Sequence, residues 1–284
     1  MRMNFSKLIV VAGISFSLPA FPQDCGTPQP GSQIRVVKDA VLFTAKELNV
    51  DADGAPNAYF LNGNGLSYTC DGVVAIENGK RVTPDSGDKD WQKKCNAAWS
   101  LAKQTGDYSK VAIFGFSVDM KTRKPLVQSE GEPFPGTAYI STTTVSIPGT
   151  PEGTQRHYVD ATKIPYVVLP SSFVRKYKVQ PGSLAVVYRP LTDKYAFGIY
   201  ADGGNLGEAS LKLHQDLGNN PYIVRNGIQR GKRTIPDPTI TVVFPGQIVA
   251  PIADNDKWTM AINAAGLEKL NEFGGVTRLR GCSK

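Results

Sequence analysis

Asp202 and Glu208 flank a glycine-rich turn inside the stretch YAFGIYADGGNLGEASLKLHQDLG, residues 195–218. Two carboxylates facing one cleft at about 6–10 Å can divide the work of an inverting glycosidase. One protonates the departing glycosidic oxygen while the other draws a proton from the attacking water. In extended chain the two side chains would stand roughly 20 Å apart, so the turn has to fold that distance back. Gly203, Gly204, Asn205 and Gly207 give the backbone that freedom. A plainer reading fits the same residues: Asp202 is a turn residue and Glu208 a first-turn helix acid favoured by the macrodipole.

The elements that must hold the pair follow from periodicity. Tyr195, Phe197, Ile199 and Ala201 alternate with Ala196, Gly198, Tyr200 and Asp202, which predicts a half-buried strand ending on Asp202. Ala209, Leu213 and Leu217 recur every four residues, which predicts a helix beginning at Glu208 and stopping at Gly218. Apolar runs predict strands over 111–118, 139–147, 164–170, 184–188 and 239–244, and a strand or helix-like edge over 34–46. Helical spacing appears at 91–103, where the aromatics read as core, and at 258–273, where Ala261, Ala265 and Leu270 face inward. With no repeat or linker, residues 21–284 read as one mainly β (α+β) domain with a few peripheral helices.

Composition agrees with a turn-rich chain: of 284 residues, 28 are Gly and 20 Pro, and 20% are charged. The net charge of +7 is diffuse. Its densest patch, 225–233, carries no interleaved aromatics, so nucleic acid is not expected as a partner. Residues 1–20 combine a basic start, an apolar run and a small residue at the end, the pattern of a secretory signal peptide. The residues before Cys25 do not form a lipid-attachment box, and no membrane anchor is expected. The destination is extracellular or periplasmic, where Cys25, Cys70, Cys95 and Cys282 would pair. Of three connectivities the preferred one staples Cys70 to Cys95 and clasps Cys25 to Cys282. No metal or cofactor is expected: His157 and His214 are far apart, and no C-x-x-C occurs. The run VDADGAPNAY has a calcium-loop look, but Asn62 stands where the closing Glu belongs and Pro56 interrupts the spacing.

In order along the chain, VDADGAPNAY, YVDATKIPYVVLP, AVVYR, YAFGIYADGGNLGEASLKL and TVVFPG resemble the glycoside hydrolase family 75 chitosanases and their bacterial relatives, across roughly residues 40–246. The resemblance implies secreted, inverting endo-hydrolysis of β-1,4 links in chitosan. The family's D-x-x-G and G-E-x-S residues fall on Asp202 and Glu208, with a shorter connection than in fungal members. Region 71–135 matches the family poorly and reads as a candidate insertion. A fainter resemblance, to lytic transglycosylases with a three-aspartate domain, implies a six-stranded double-psi-like β-barrel core. It also supplies a rival substrate, peptidoglycan, cleaved with a single aspartate.

On this reading Glu208, ionised at a helix N-terminus, is the base. Asp202, its pKa raised by burial and by Glu208, suits the acid, and the reverse assignment stays open. Chitosan is cationic and the protein basic, so a locally acidic groove is required. Asp51 and Asp53 are the candidates to line it, with Tyr59, Tyr139 and Tyr158 offering aromatic faces. A monomer acting on an amino-sugar polysaccharide is expected. The competing classes are a non-catalytic carbohydrate-binding module and a structural envelope protein.

Overall fold

The computed structural model describes residues 24–30 and 33–283. Residues 1–20, read above as a signal peptide, lie outside the described residues. In chain order the strands are β1 (Thr27–Pro28), β2 (Ile34–Val37), β3 (Ala40–Ala45), β4 (Asn49–Asp51), β5 (Val73–Glu77), β6 (Lys80–Val82) and β7 (Val111–Ile113). They continue as β8 (Tyr166–Val168), β9 (Ser183–Arg189), β10 (Lys194–Asp202), β11 (Glu208–Ser210), β12 (Tyr222–Arg225), β13 (Ile228–Gly231) and β14 (Thr239–Ile248). The α-helices are α1 (Trp91–Thr105), α2 (Ser171–Tyr177), α3 (Leu211–Asp216), α4 (Asn255–Phe273) and α5 (Gly275–Cys282). The chain is mainly β with helices packed around the sheets, as its periodicity predicts.

The main sheet runs β1-β2-β3-β14-β9-β10-β8-β11-β4. Most neighbours are antiparallel, but β10 pairs with β8, and β11 with β4, in parallel. The sequence reading expects six strands closed into a double-psi-like barrel. The pairing order runs through nine, and among the described residues no ladder joins β1 to β4. A separate sheet, β6-β5-β7, carries α1 against it.

The central strand β10 is covered on both faces rather than half-buried. Ile199 and Ala201 belong to one apolar cluster with Trp258, Ile262 and Leu270 of α4. Ala196 and Tyr200 belong to another with Phe173 of α2 and with Leu213 and Leu217 at α3. The inward stripe of α4 is Trp258, Ile262, Gly266, Leu270 and Phe273, with Ala261 and Ala265 on its flank. Both preferred disulfides form, Cys70–Cys95 and Cys25–Cys282, which fits an oxidising compartment. Among the described residues no helix is long and apolar enough to cross a membrane.

The expected strand over 139–147 is instead a string of isolated bridges, Val127↔Tyr139, Phe116↔Ser141 and Ser146↔Tyr158. Buried side-chain amides take over part of the ladder's work there. Gln155 Oε1 accepts from Ser141 N at 2.8 Å, and its Nε2 donates to Gly54 O at 2.9 Å and to Ser141 O at 3.1 Å. Gln128 Nε2 donates to Pro56 O at 2.6 Å. Satisfied in this way, the backbone can stay buried without regular structure.

Candidate active site

Asp202 ends β10 as its alternation predicts, but a bulge decides where it points. The β10–β8 register steps from Tyr200↔Val167 to Asp202↔Val168, leaving Ala201 as the extra residue. Strict alternation would place Asp202 with Tyr200 and Val167, on the α3 side. The bulge turns it to the side of Val168 and Tyr166, where β4 delivers Asp51. One oxygen each of Asp51, Asp53 and Asp202 lie within 4.8 Å of one another.

Each carboxyl of this cluster has specific partners. Asp202 is 8% exposed. Its Oδ1 accepts from Thr144 N at 3.0 Å, Thr144 Oγ1 at 3.1 Å and Gly203 N at 2.8 Å, which leaves Oδ2 to carry a proton. Asp51 Oδ1 caps Asp53 N at 2.9 Å, and Tyr59 Oη donates to Asp53 Oδ1 at 2.6 Å. The buried Tyr166 hydroxyl lies 3.1 Å from Asp51 Oδ2 and 2.8 Å from the Asp53 carbonyl. It has one proton for these two acceptors, so the phenol donates to Asp51 and to the Asp53 carbonyl in turn.

Charge follows from this crowding. Burial, then the Asp51 charge, pushes Asp202 up to about 8 against the opposing pull of its three donors. Burial likewise raises Asp51 to about 6, helped by the Glu208 charge. Asp53 is held well above the carboxylate range by burial and by both neighbouring aspartates. Asp51 and Asp53 reach solvent at the cleft yet are surrounded by protein, and three carboxyls this close share protons. The perturbing charge on Asp202 is therefore Asp51, not Glu208 as the sequence reading has it; Glu208 acts on Asp51. The same three carboxylates are also the ones whose oxygens could converge on a hard divalent cation.

Glu208 does not begin a helix. It opens β11, whose register with β4 is Glu208↔Asn49 and Ser210↔Asp51. Helix α3 starts one step later, with Ser210 as its cap: the Ser210 hydroxyl accepts from Leu213 N at 3.2 Å. Glu208 is therefore held by Asn205 rather than by helix amides. Asn205 N donates to Oε2 and Asn205 Nδ2 to Oε1, both at 3.0 Å. Gly204 makes room for this grip, because a Cβ there would lie 2.7 Å from both Glu208 Oε2 and Val168 Cγ1. On a catalytic role for Glu208, Gly204→Ala should lower kcat/KM at least about tenfold by displacing it, with a stability loss of about 1–3 kcal/mol. Steady-state kinetics beside a thermal melt would check both.

Asp51, Asp53, Asp202 and Glu208 all line one cleft of ≈ 480 Å³. Asp71 and Asp85 add two more carboxylates, against the cations Arg81 and Lys232. Lys232 Nζ is committed to Asp71, at 2.8 Å. A protein of net charge +7 thus carries a locally acidic groove.

The three tyrosines fare differently. Tyr59 reaches the cleft, but through its hydroxyl on Asp53; its ring is 3% exposed and packs on Phe116 at 5.1 Å. Tyr139 is stacked on Phe116, 4.6 Å between centroids, within the apolar core. Tyr158 places its hydroxyl 2.8 Å from Ser117 Oγ. Neither Tyr139 nor Tyr158 is among the residues lining the cleft. Sequence reasoning missed Thr144 and Tyr166, since a lone Thr in a polar run and a Tyr in an apolar strand carry no local signal. It also missed the wall supplied by Arg81, Trp91 and Phe114, which belong to the candidate insertion.

No family model and no curated protein matches this chain.

Proposed function

We propose that this protein is a secreted glycoside hydrolase cleaving β-1,4 links of chitosan by single displacement. The observation that carries the reading is a buried Asp202, its pKa raised by burial and by Asp51, and a more open Glu208 lining one acidic cleft of a basic protein. Asp202 retains a proton near neutral pH and is the general acid for the departing glycosidic oxygen. Glu208, half-exposed and fixed by Asn205, is the base that takes a proton from water. Asp51 acts through Asp202, its charge helping to keep the proton on, while the Tyr59 and Tyr166 hydroxyls hold Asp53 and Asp51 in place. The acidic lining favours a polymer of protonated amino sugars and opposes an anionic glycan such as peptidoglycan.

The experiment sets partly acetylated chitosan beside peptidoglycan sacculi and identifies the soluble products by mass spectrometry. Glucosamine-containing oligomers with ordinary reducing ends, from chitosan alone, are expected. Anhydro-sugar fragments from sacculi, with chitosan untouched, would replace this reading with a lytic transglycosylase; intact polymer in both samples would leave a binding or envelope role.

A further inference from the structure

Within the candidate insertion 71–135, residues 73–113 form a body with a narrow neck. The chain enters through Gly72 and leaves through Phe114 and Gly115, whose N–H groups both donate to Gly72 O, at 2.9 and 3.0 Å. The two glycines pass so closely that a Cβ on Gly115 would lie 2.7 Å from Gly72 Cα and 2.6 Å from Tyr59 Oη. That hydroxyl is the one donating to Asp53. Cys70–Cys95 ties α1 to the same neck. The small sheet β6-β5-β7 and α1 are thus fixed relative to the carboxylate cluster rather than hung on a flexible loop.

From this fixed body, Arg81, Asp85, Trp91 and Phe114 line the cleft. Its other aromatics are spent on packing: Trp99 meets Tyr108 at 5.8 Å and Phe116 at 5.7 Å. Phe114 is 48% exposed, and Trp91 is half-buried at the first turn of α1. Two incompletely covered aromatic rings beside a row of carboxylates offer apolar faces next to groups that accept from amines and hydroxyls. They suit a ligand with flat apolar faces and polar edges, and a pyranose ring presents C–H faces with hydroxyl or amino groups around its rim. On the glycan reading given above, we propose that Trp91 and Phe114 form a sugar-binding subsite, built by the disulfide-tied insertion, which holds the chain while Asp202 and Glu208 cleave it.

The test uses Asp202→Asn protein, to prevent turnover, titrated with a glucosamine hexamer and with an N-acetylglucosamine hexamer. Binding is followed by calorimetry and by tryptophan emission. Trp99 and Trp258 are 4% and 0% exposed, so Trp91 is the tryptophan within reach of a cleft ligand. A saturable emission change is expected, and it should vanish when Trp91→Phe is added. By calorimetry Trp91→Phe should bind nearly as well as its parent. Trp91→Ala and Phe114→Ala should each weaken binding about tenfold or more, the size of one uncovered ring face. Phe114 is exposed enough that its Ala variant should fold, and matching melts would confirm it. Unchanged hexamer affinity in both Ala variants would overturn the subsite and leave the glycan reading standing. Failure of the parent to bind either hexamer would overturn both.

Discussion

Asp202→Asn should lower kcat on chitosan by about 10²–10⁴-fold, the size expected for removing a positioned general acid, and Glu208→Gln by a similar factor for the base. The Asn variant should still fold, because its side-chain oxygen can accept from Thr144 N, Thr144 Oγ1 and Gly203 N as the carboxylate does. The two variants should part on a glycoside with an aryl leaving group that departs without protonation. There Asp202→Asn should regain most of its rate and Glu208→Gln should not. The opposite pattern would exchange the two roles.

The second large effect is on stability. Asp202 titrates at about 8 in the folded protein against 3.8 for an unperturbed aspartate, so between those values the folded state binds protons that the unfolded chain releases. Its contribution to stability is fully present below pH 3.8 and is lost as pH rises through 8. Asp51, raised to about 6, and Asp53, raised further, act in the same direction. The wild-type melting temperature should therefore fall from pH 5 to pH 9. Asp202→Asn cannot ionise, and it should melt near the wild type at pH 4 and above it at pH 9. With protons shared among three carboxyls the gain is roughly 2–4 kcal/mol, or on the order of 5–10 °C for a chain of this length. A variant that gains nothing at pH 9 would mean that Asp202 ionises in the folded protein as readily as in the unfolded chain. The account of its acid role would then fail. A site that destabilises its own fold at alkaline pH is one sign of residues retained for chemistry rather than stability.

What could be read in advance was what local chemistry dictates. The strand ending on Asp202, the glycine turn after it, the helices at 91–105 and 255–273 and the apolar strands at β9 and β14 all follow from periodicity within a few residues. What could not be read depended on partners distant in the chain. Ala209, Leu213 and Leu217 do lie on a helical period, yet β4 captures residues 208–210 as a strand before Ser210 caps the helix. The bulge at Ala201 exists only against β8, and without it Asp202 would sit among Tyr200 and Val167. Asp51 and Asp53 read as groove-lining acids; their closeness to Asp202, and hence the effect of Asp51 on its proton, comes from the β11–β4 and β11–β8 pairings. Nothing local to Tyr139 separates a ligand platform from a core residue; Phe116 and Trp99, which pack against it, decide for the core. In 91–103 the periodicity treated Trp91 and Trp99 alike, while the fold buries one and leaves the other at the cleft.

The central claim is that this carboxylate pair delivers water to an anomeric carbon. Its most direct test is digestion of chitosan in oxygen-18 water, with the anomer formed first read by proton NMR and the label located by mass spectrometry. One label at each new reducing end and the α-anomer appearing before mutarotation are expected, with neither seen for Asp202→Asn or Glu208→Gln. Products without label, or the β-anomer appearing first, would contradict single displacement at this site.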